Sequence, residues 1–128
     1  NGMLWMFCDI YGQVIEPMTG KVIVPIPVLG GGTRVATQYP FTGTSVLLPL
    51  SKDNNWDPEI VYFGGQYAYG WVNTTASNMA WRIKATIKND GQSSTDYDFG
   101  DGWVKEIMLS PRVMPDATIL PNGHVVIM

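Results

Sequence analysis

Few side chains in this 128-residue sequence have chemistry to offer, and their number and spacing limit what that chemistry is. There is one histidine, His124, and one cysteine, Cys8. A zinc site of the usual Cys/His kind needs four such ligands, and a copper centre of imidazole character needs more than one His. Neither can be assembled from this set, and a single Cys excludes an intramolecular disulfide. His124 follows a turn signal and reads as structural or solvated. Cys8 lies in an apolar run that reads as a buried strand, where Cys behaves as an inert small hydrophobe. Asp96, Asp98 and Asp101 fall in a Gly-rich stretch. Carboxylate clusters hold Ca2+, but the EF-hand spacing is absent, so a solvated loop is expected. Gly30-Gly31-Gly32-Thr33 is no phosphate loop, because no Lys follows and no helix begins there; it reads as a connection. Asn73-Thr74-Thr75 is an N-glycosylation sequon, usable if the parent protein is secreted.

The elements that must position these residues are strands. Charged residues are 15% of the chain, against roughly 25% in an average soluble domain, and hydrophobic residues are 45%. With 5 Trp, 6 Tyr and 4 Phe, this is not the composition of a disordered chain. No apolar run approaches the roughly 18 residues of a membrane helix. A net charge of −3 argues against nucleic-acid binding, which rests on neutralising phosphates. The 14 Gly and 9 Pro cut the sequence into short pieces that suit strands better than helices.

Strands are expected at 3–10, buried on both faces, and at 13–16 and 21–28. Pro25 and Pro27 share one phase of the third, which fits an edge strand. Further strands are expected at 44–50 (buried), 59–63 and 103–109, and at 116–120 and 124–128 around the hairpin signal Pro121-Asn122-Gly123. Residues 71–90 also carry helical spacing. The unbroken alternation of Trp81, Ile83, Ala85 and Ile87 against Arg82, Lys84 and Thr86 favours a strand over 81–87.

These strands repeat. Comparable ones begin near Met3, Glu59 and His124, a period in the range of kelch repeats lengthened by insertions. The Gly64-Gly65 pair after an apolar strand, and Trp103 opening the last strand of a unit, fit that pattern. The expected fold is all-β: a partial kelch-type β-propeller of about two blades, each an antiparallel four-stranded sheet. Residues 1–29 would end one blade, 33–110 would form a complete blade, and 111–128 would start the next, as an internal fragment of a longer chain.

Three stretches carry a family resemblance. Asn1-Gly2-Met3-Leu4-Trp5-Met6-Phe7 followed by Pro17-Met18-Thr19-Gly20 resembles a blade opening of glyoxal oxidases. Tyr39-Pro40-Phe41-Thr42-Gly43-Thr44-Ser45-Val46-Leu47-Leu48-Pro49-Leu50 is similar to their "YP-x-x-G-x-S-x-LLPL" stretch. Ser110-Pro111-Arg112-Val113-Met114-Pro115-Asp116, then Ile119-Leu120-Pro121-Asn122-Gly123-His124-Val125-Val126-Ile127, resembles "SPRVM-x-D…LPNG-x-V-x-I".

The resemblance implies a seven-bladed parent related to galactose oxidase. Such a parent is a secreted copper radical oxidase, extracellular or in the cell wall, that oxidises small aldehydes or alcohols and reduces O2 to H2O2. Hydrogen abstraction there is by a tyrosyl radical. Two Tyr and two His hold the family's copper, one Tyr being cross-linked to a Cys. By resemblance, this segment lies between those ligands and carries none of them.

In such a propeller Tyr39 and Arg112 each precede the innermost strand of a blade, so both are candidates to line the substrate channel. The bland alternatives are that Tyr39 packs between blades and that Arg112 pairs with a carboxylate. The family also typically has Cys where this chain has Phe63 and Ala80. The resemblance therefore implies that these two lie on neighbouring strands and that the 66–79 loop has lost a staple. Two rivals stand beside the oxidase reading: a non-catalytic kelch propeller binding a protein or glycan, and a β-sandwich adhesion or carbohydrate-binding domain.

Overall fold

A computed structural model describes residues 2–32, 35–67, 74–88 and 96–128. The described residues are strand and connection, with a single 3-10 turn at Leu29–Gly32. In chain order the strands are β1 (Leu4–Cys8), β2 (Tyr11–Ile15), β3 (Val22–Ile26), β4 (Gly43–Leu47), β5 (Glu59–Gly64), β6 (Ser77–Lys84), β7 (Thr86–Lys88), β8 (Asp96–Asp98), β9 (Val104–Arg112), β10 (Ala117–Ile119) and β11 (Val125–Ile127). They form antiparallel sheets in the orders β1-β2-β3, β4-β5-β6-β9, β7-β8 and β10-β11. The all-β architecture of successive antiparallel sheets is that of a partial propeller.

Within the segment with two readings, the described residues from Ser77 to Lys88 are strand, with a break at Ala85. β6 runs from Ser77 to Lys84, is interrupted at Ala85 and gives way to β7. It pairs with β5 in the register Glu59↔Lys84 through Phe63↔Ala80, so the helical spacing of the apolar residues there was incidental. β3 is an edge strand, as Pro25 requires, with Pro25 opposite Gln13; it is shorter than 21–28, and Pro27 lies just beyond its end.

The sheets stack face to face. Alternation along β5 and β6 sends one set of side chains to each side of the central four-stranded sheet. Ile60 and Ile83 form a buried cluster with Val14 and Ile26 of the first sheet. Met79 and Trp81 continue that side toward Leu29 and Val35. On the opposite side, Val46, Val61, Phe63 and Ala80 pack on Ala117, Ile119, Val125 and Ile127 of the β10-β11 hairpin.

Between the first two sheets Phe7 lies on Tyr62, with ring centroids 4.4 Å apart, and Trp103 stands edge-on to both at 5.9 and 5.7 Å. Trp103 Nε1 donates to the Pro27 carbonyl at 2.6 Å, joining the end of β3 to the start of β9.

Several expectations need correction. β1 is shorter than 3–10 and is not buried on both faces. Trp5 and Phe7 turn inward, while Leu4 (48% exposed), Met6 and Cys8 face outward. A uniformly apolar sequence does not reveal that only one face has a neighbour. Cys8 is accordingly exposed, not buried in a strand. β4 ends at Leu47, and Val46, packed toward the β10-β11 hairpin, is its one buried residue. β9 extends through Pro111 to Arg112, and edge position accommodates the proline. Asp96 and Asp98 lie on β8, not in an irregular loop.

Candidate functional site

Five chain segments meet at one end of the central sheet, and the Gly64-Gly65 pair holds them there. Both glycines have positive φ, 73° and 90°. A Cβ on Gly64 would overlap the Arg112 carbonyl oxygen, and one on Gly65 would lie 2.5 Å from the Ala36 carbonyl oxygen. Backbone therefore presses on the pair from two sides, and only residues without side chains fit.

The same contacts supply hydrogen bonds. Gly65 N–H donates to Arg112 O at 3.0 Å, Ser77 N–H to Gly65 O at 2.8 Å, and Gln66 and Ala36 exchange a pair at 2.8 and 3.0 Å. Met114 N–H donates to Thr42 O at 2.7 Å. Thr37 is tied to the β1-β2 turn, its N–H donating to Asp9 Oδ1 at 2.9 Å and its hydroxyl to Asp9 O at 2.6 Å.

This network brings the two sequence-derived candidates to the same end of the molecule. Tyr39 sits on the loop between Thr37 and Thr42 and is 84% exposed. Arg112 closes β9, half-buried, and its carbonyl serves Gly65. Among the described residues no carboxylate pairs with the Arg112 guanidinium. The Thr42–Met114 bond joins the loops that carry them. Ala36, Thr37 and Gln66 build this junction and were not singled out in the sequence; small and polar residues outside any periodic run leave no pattern to read.

The remaining candidates do not converge. His124 is exposed on the β10-β11 turn, its N–H donating to Asn122 Oδ1 at 3.1 Å. Asp98 is taken by Lys88 at 3.5 Å and by Gly100 N–H at 2.9 Å, and these hold its carboxyl below the usual range, the Gly100 bond first. Gly30 and Gly31 form the 3-10 turn with positive φ that leads away from the first sheet. Asn73 lies outside the described residues, as do positions 68–73 of the 66–79 loop. The base of that loop is held by Tyr67 N–H to Thr75 O at 3.1 Å and Thr74 Oγ1 to Gln66 Oε1 at 2.7 Å.

The electrostatics elsewhere are structural. Arg82 spans three strands, reaching Glu59 at 2.8 Å and Glu106 at 2.9 Å. Partial burial works against its charge, and the two carboxylates more than offset this, so its pKa is raised. The buried carboxylate of Asp57 meets Lys84 Nζ at 3.1 Å and the Thr86 hydroxyl at 3.2 Å. Burial pushes the Tyr62 phenol up, and the facing Trp5 indole and Ser45 hydroxyl offset part of that.

Among the described residues no three His, Cys, Asp or Glu side chains gather as a metal site. The donors do not fit a copper centre. Cys8 is exposed on the first sheet, and His124 is on the hairpin at the other side of the stack.

The profile of the glyoxal oxidase N-terminus family matches residues 1–128. The chain belongs to that family. It is 30% identical over 132 residues to the putative aldehyde oxidase Art an 7 of Artemisia annua, a match covering 100% of this chain and 22% of that protein. It is 30% identical over 130 residues to the aldehyde oxidase GLOX of Vitis pseudoreticulata, covering 99% and 22%. To the aldehyde oxidase GLOX1 of Arabidopsis thaliana it is 27% identical over 132 residues, covering 99% and 20%. The glyoxal oxidase family member thus spans about a fifth of the length of these relatives. No solved structure gives a significant match.

Proposed function

We propose that these residues are scaffold of a copper radical oxidase acting on small aldehydes or alcohols, and that they supply channel wall and no copper ligand. In the whole protein an aldehyde, water and O2 would yield a carboxylic acid and H2O2, or an alcohol and O2 would yield an aldehyde and H2O2. Copper with a Tyr-Cys cross-link would supply the one-electron chemistry from residues outside this segment. The carrying observation is the family match over the entire chain. In this reading residues 1–29, 33–110 and 111–128 belong to three successive kelch-type blades. Tyr39 and Arg112 face the substrate channel, Asn73 is a glycosylation site, and the parent is extracellular.

The test uses the full-length polypeptide loaded with copper. Peroxide formation on small aldehydes is expected, with Tyr39→Phe and Arg112→Ala changing KM more than the copper spectrum. The 128-residue chain alone is expected to form no peroxide. A full-length protein that binds no copper and makes no peroxide, yet retains glycan or protein binding, would sink this reading in favour of a non-catalytic propeller.

A further inference from the structure

The tip of the β10-β11 hairpin gathers the parts of an acyl-transfer reaction around one side-chain amide. The chain reverses over Pro121-Asn122-Gly123, with Gly123 N–H donating to Leu120 O at 2.9 Å and Leu120 N–H to His124 O at 2.8 Å. Gly123 has φ +83°, the left-handed position that closes a three-residue hairpin loop. His124, the one histidine of the sequence, comes next and touches both ends of the Asn122 amide. Its backbone N–H donates to Asn122 Oδ1 at 3.1 Å, and its ring Nδ1 lies 3.4 Å from Asn122 Nδ2. All four residues from Pro121 to His124 are exposed.

Each contact has a chemical consequence at the Asn122 Cγ. A donor on Oδ1 polarises the carbonyl and stabilises the negative charge that this oxygen takes on when Cγ becomes tetrahedral. Nδ2 turns basic at the same moment, and the imidazole, in the form with Nδ1 protonated, is placed to hand it the proton it needs to leave. The bond from Oδ1 to residue 124 folds the side chain over the intervening peptide and sets Cγ beside the Gly123 nitrogen. Glycine leaves the approach open: beyond its chain neighbours, nothing lies within 4 Å of where a Cβ on residue 123 would sit.

We infer that Asn122 is a self-modification site, deamidated by attack of the Gly123 nitrogen on its Cγ with the His124 imidazole as proton donor. The Gly123 N–Cγ bond forms and the Cγ–Nδ2 bond breaks. The proton that the Gly123 nitrogen gives up is made good on Nδ2 through the imidazole, and ammonia leaves. Water then opens the resulting succinimide at either carbonyl, giving aspartate or isoaspartate, with nothing oxidised or reduced. The Gly123–Leu120 hydrogen bond holds the nucleophile back. It sits at the tip of a hairpin whose strands are three residues each, so local opening of the tip releases it. The product carries a new negative charge. As isoaspartate it also adds a carbon to the main chain of the turn that sets the register of the hairpin over Val46, Val61 and Phe63. No residue of the proposed channel takes part, so this inference and the oxidase reading fail independently.

The experiment holds the chain at neutral pH and follows residue 122 by mass spectrometry and peptide mapping. The folded chain is expected to gain one mass unit there, as a mixture of aspartate and isoaspartate. His124→Gln keeps the backbone donor and removes only an exposed ring, and it should slow the gain at least threefold. In urea, where the turn is lost, the two chains should differ by less than that. Amide exchange of Ala117–Ile119 verifies that the variant keeps the hairpin, and the same amides should exchange faster once the native sequence has converted. An Asn122 that stays intact when folded and reacts only in urea overturns the proposal. So do equal folded rates for the two chains, which would leave a bare Asn-Gly step, and an equal ratio in urea, which would assign the effect to sequence proximity alone. Aspartate without isoaspartate would mean direct hydrolysis of the amide and overturns the cyclic route.

Discussion

Phe63 on β5 and Ala80 on β6 stand directly opposite each other, 8% and 4% exposed, in the cluster that faces the β10-β11 hairpin. A large residue paired with a small one fills the space between strands as two medium ones would. The resemblance to glyoxal oxidases placed a cysteine pair here, and the register meets its geometric requirement of neighbouring strands. The double variant Phe63→Cys/Ala80→Cys is therefore expected to cross-link on air oxidation. Its oxidised form should exceed the reduced form by about 3 kcal/mol, the value for a loop of this size. Loss of two mass units and a reductant-sensitive denaturation midpoint are the readouts; no cross-link would contradict the register.

The glycine pair should be far less tolerant than other glycines with positive φ. Gly64→Ala adds a backbone overlap with Arg112 to the conformational cost and is expected to destabilise by about 3 kcal/mol. Gly20 has φ +72° but nothing within 4 Å, so Gly20→Ala should cost only about 1 kcal/mol. Urea denaturation of both variants measures the contrast, and equal losses would refute the close-approach argument.

Arg82→Met tests the three-strand ion cluster. The Arg82 side chain is 40% exposed, so solvent screens the pair energies and the loss should stay near 1 kcal/mol. Most of that loss should vanish in 1 M NaCl, where the screening length is about 3 Å. A loss independent of salt would mean that the aliphatic stem, not the charge, matters.

Two carboxylates should titrate below their ordinary ranges: Glu16, held by the Thr19 hydroxyl against slight desolvation, and Asp98, held by Gly100 N–H and Lys88. Because the folded state lowers both pKa values, their small contributions are present above the unfolded pKa. They fade as pH falls through the folded values. Carboxyl-carbon NMR titration checks this, and ordinary values at either site would remove that contribution.

Trp103→Phe keeps the ring in the Phe7–Tyr62 cluster but deletes the donor to Pro27 O. A loss of about 1 to 2 kcal/mol is expected, together with faster exchange in β3. Unchanged stability would mean that the rings alone hold the two sheets.

Much of the strand order was legible because alternation survives wherever a sheet has two unlike faces, as in 81–87. β6 reaches four residues further back: Met79 and Ala80 continue it through core packing, and backbone contacts with Gly65 and Arg112 hold Ser77 in line. No side-chain pattern announces its polar start at Ser77-Asn78. The apolar run at β1 concealed which face is covered, since coverage is decided by a distant strand. Tyr39 and Arg112 were visible as residues before strands. What joins them, a bond from Met114 to Thr42, lies between backbone groups and has no signature in residue type.

β5 is a partition wall. Its sequence Ile60-Val61-Tyr62-Phe63 deals residues alternately to two separate interiors, one shared with the first sheet and one with the hairpin. A deletion of a single residue would exchange the two sets and put side chains of the wrong size into both interiors at once. Residues 62 and 63, joined by a peptide bond, therefore have different constituencies. Tyr62 packs on Phe7 and Trp103, and Phe63 on Ala80 and the 117–127 hairpin, so the two neighbours answer to different sets of partners.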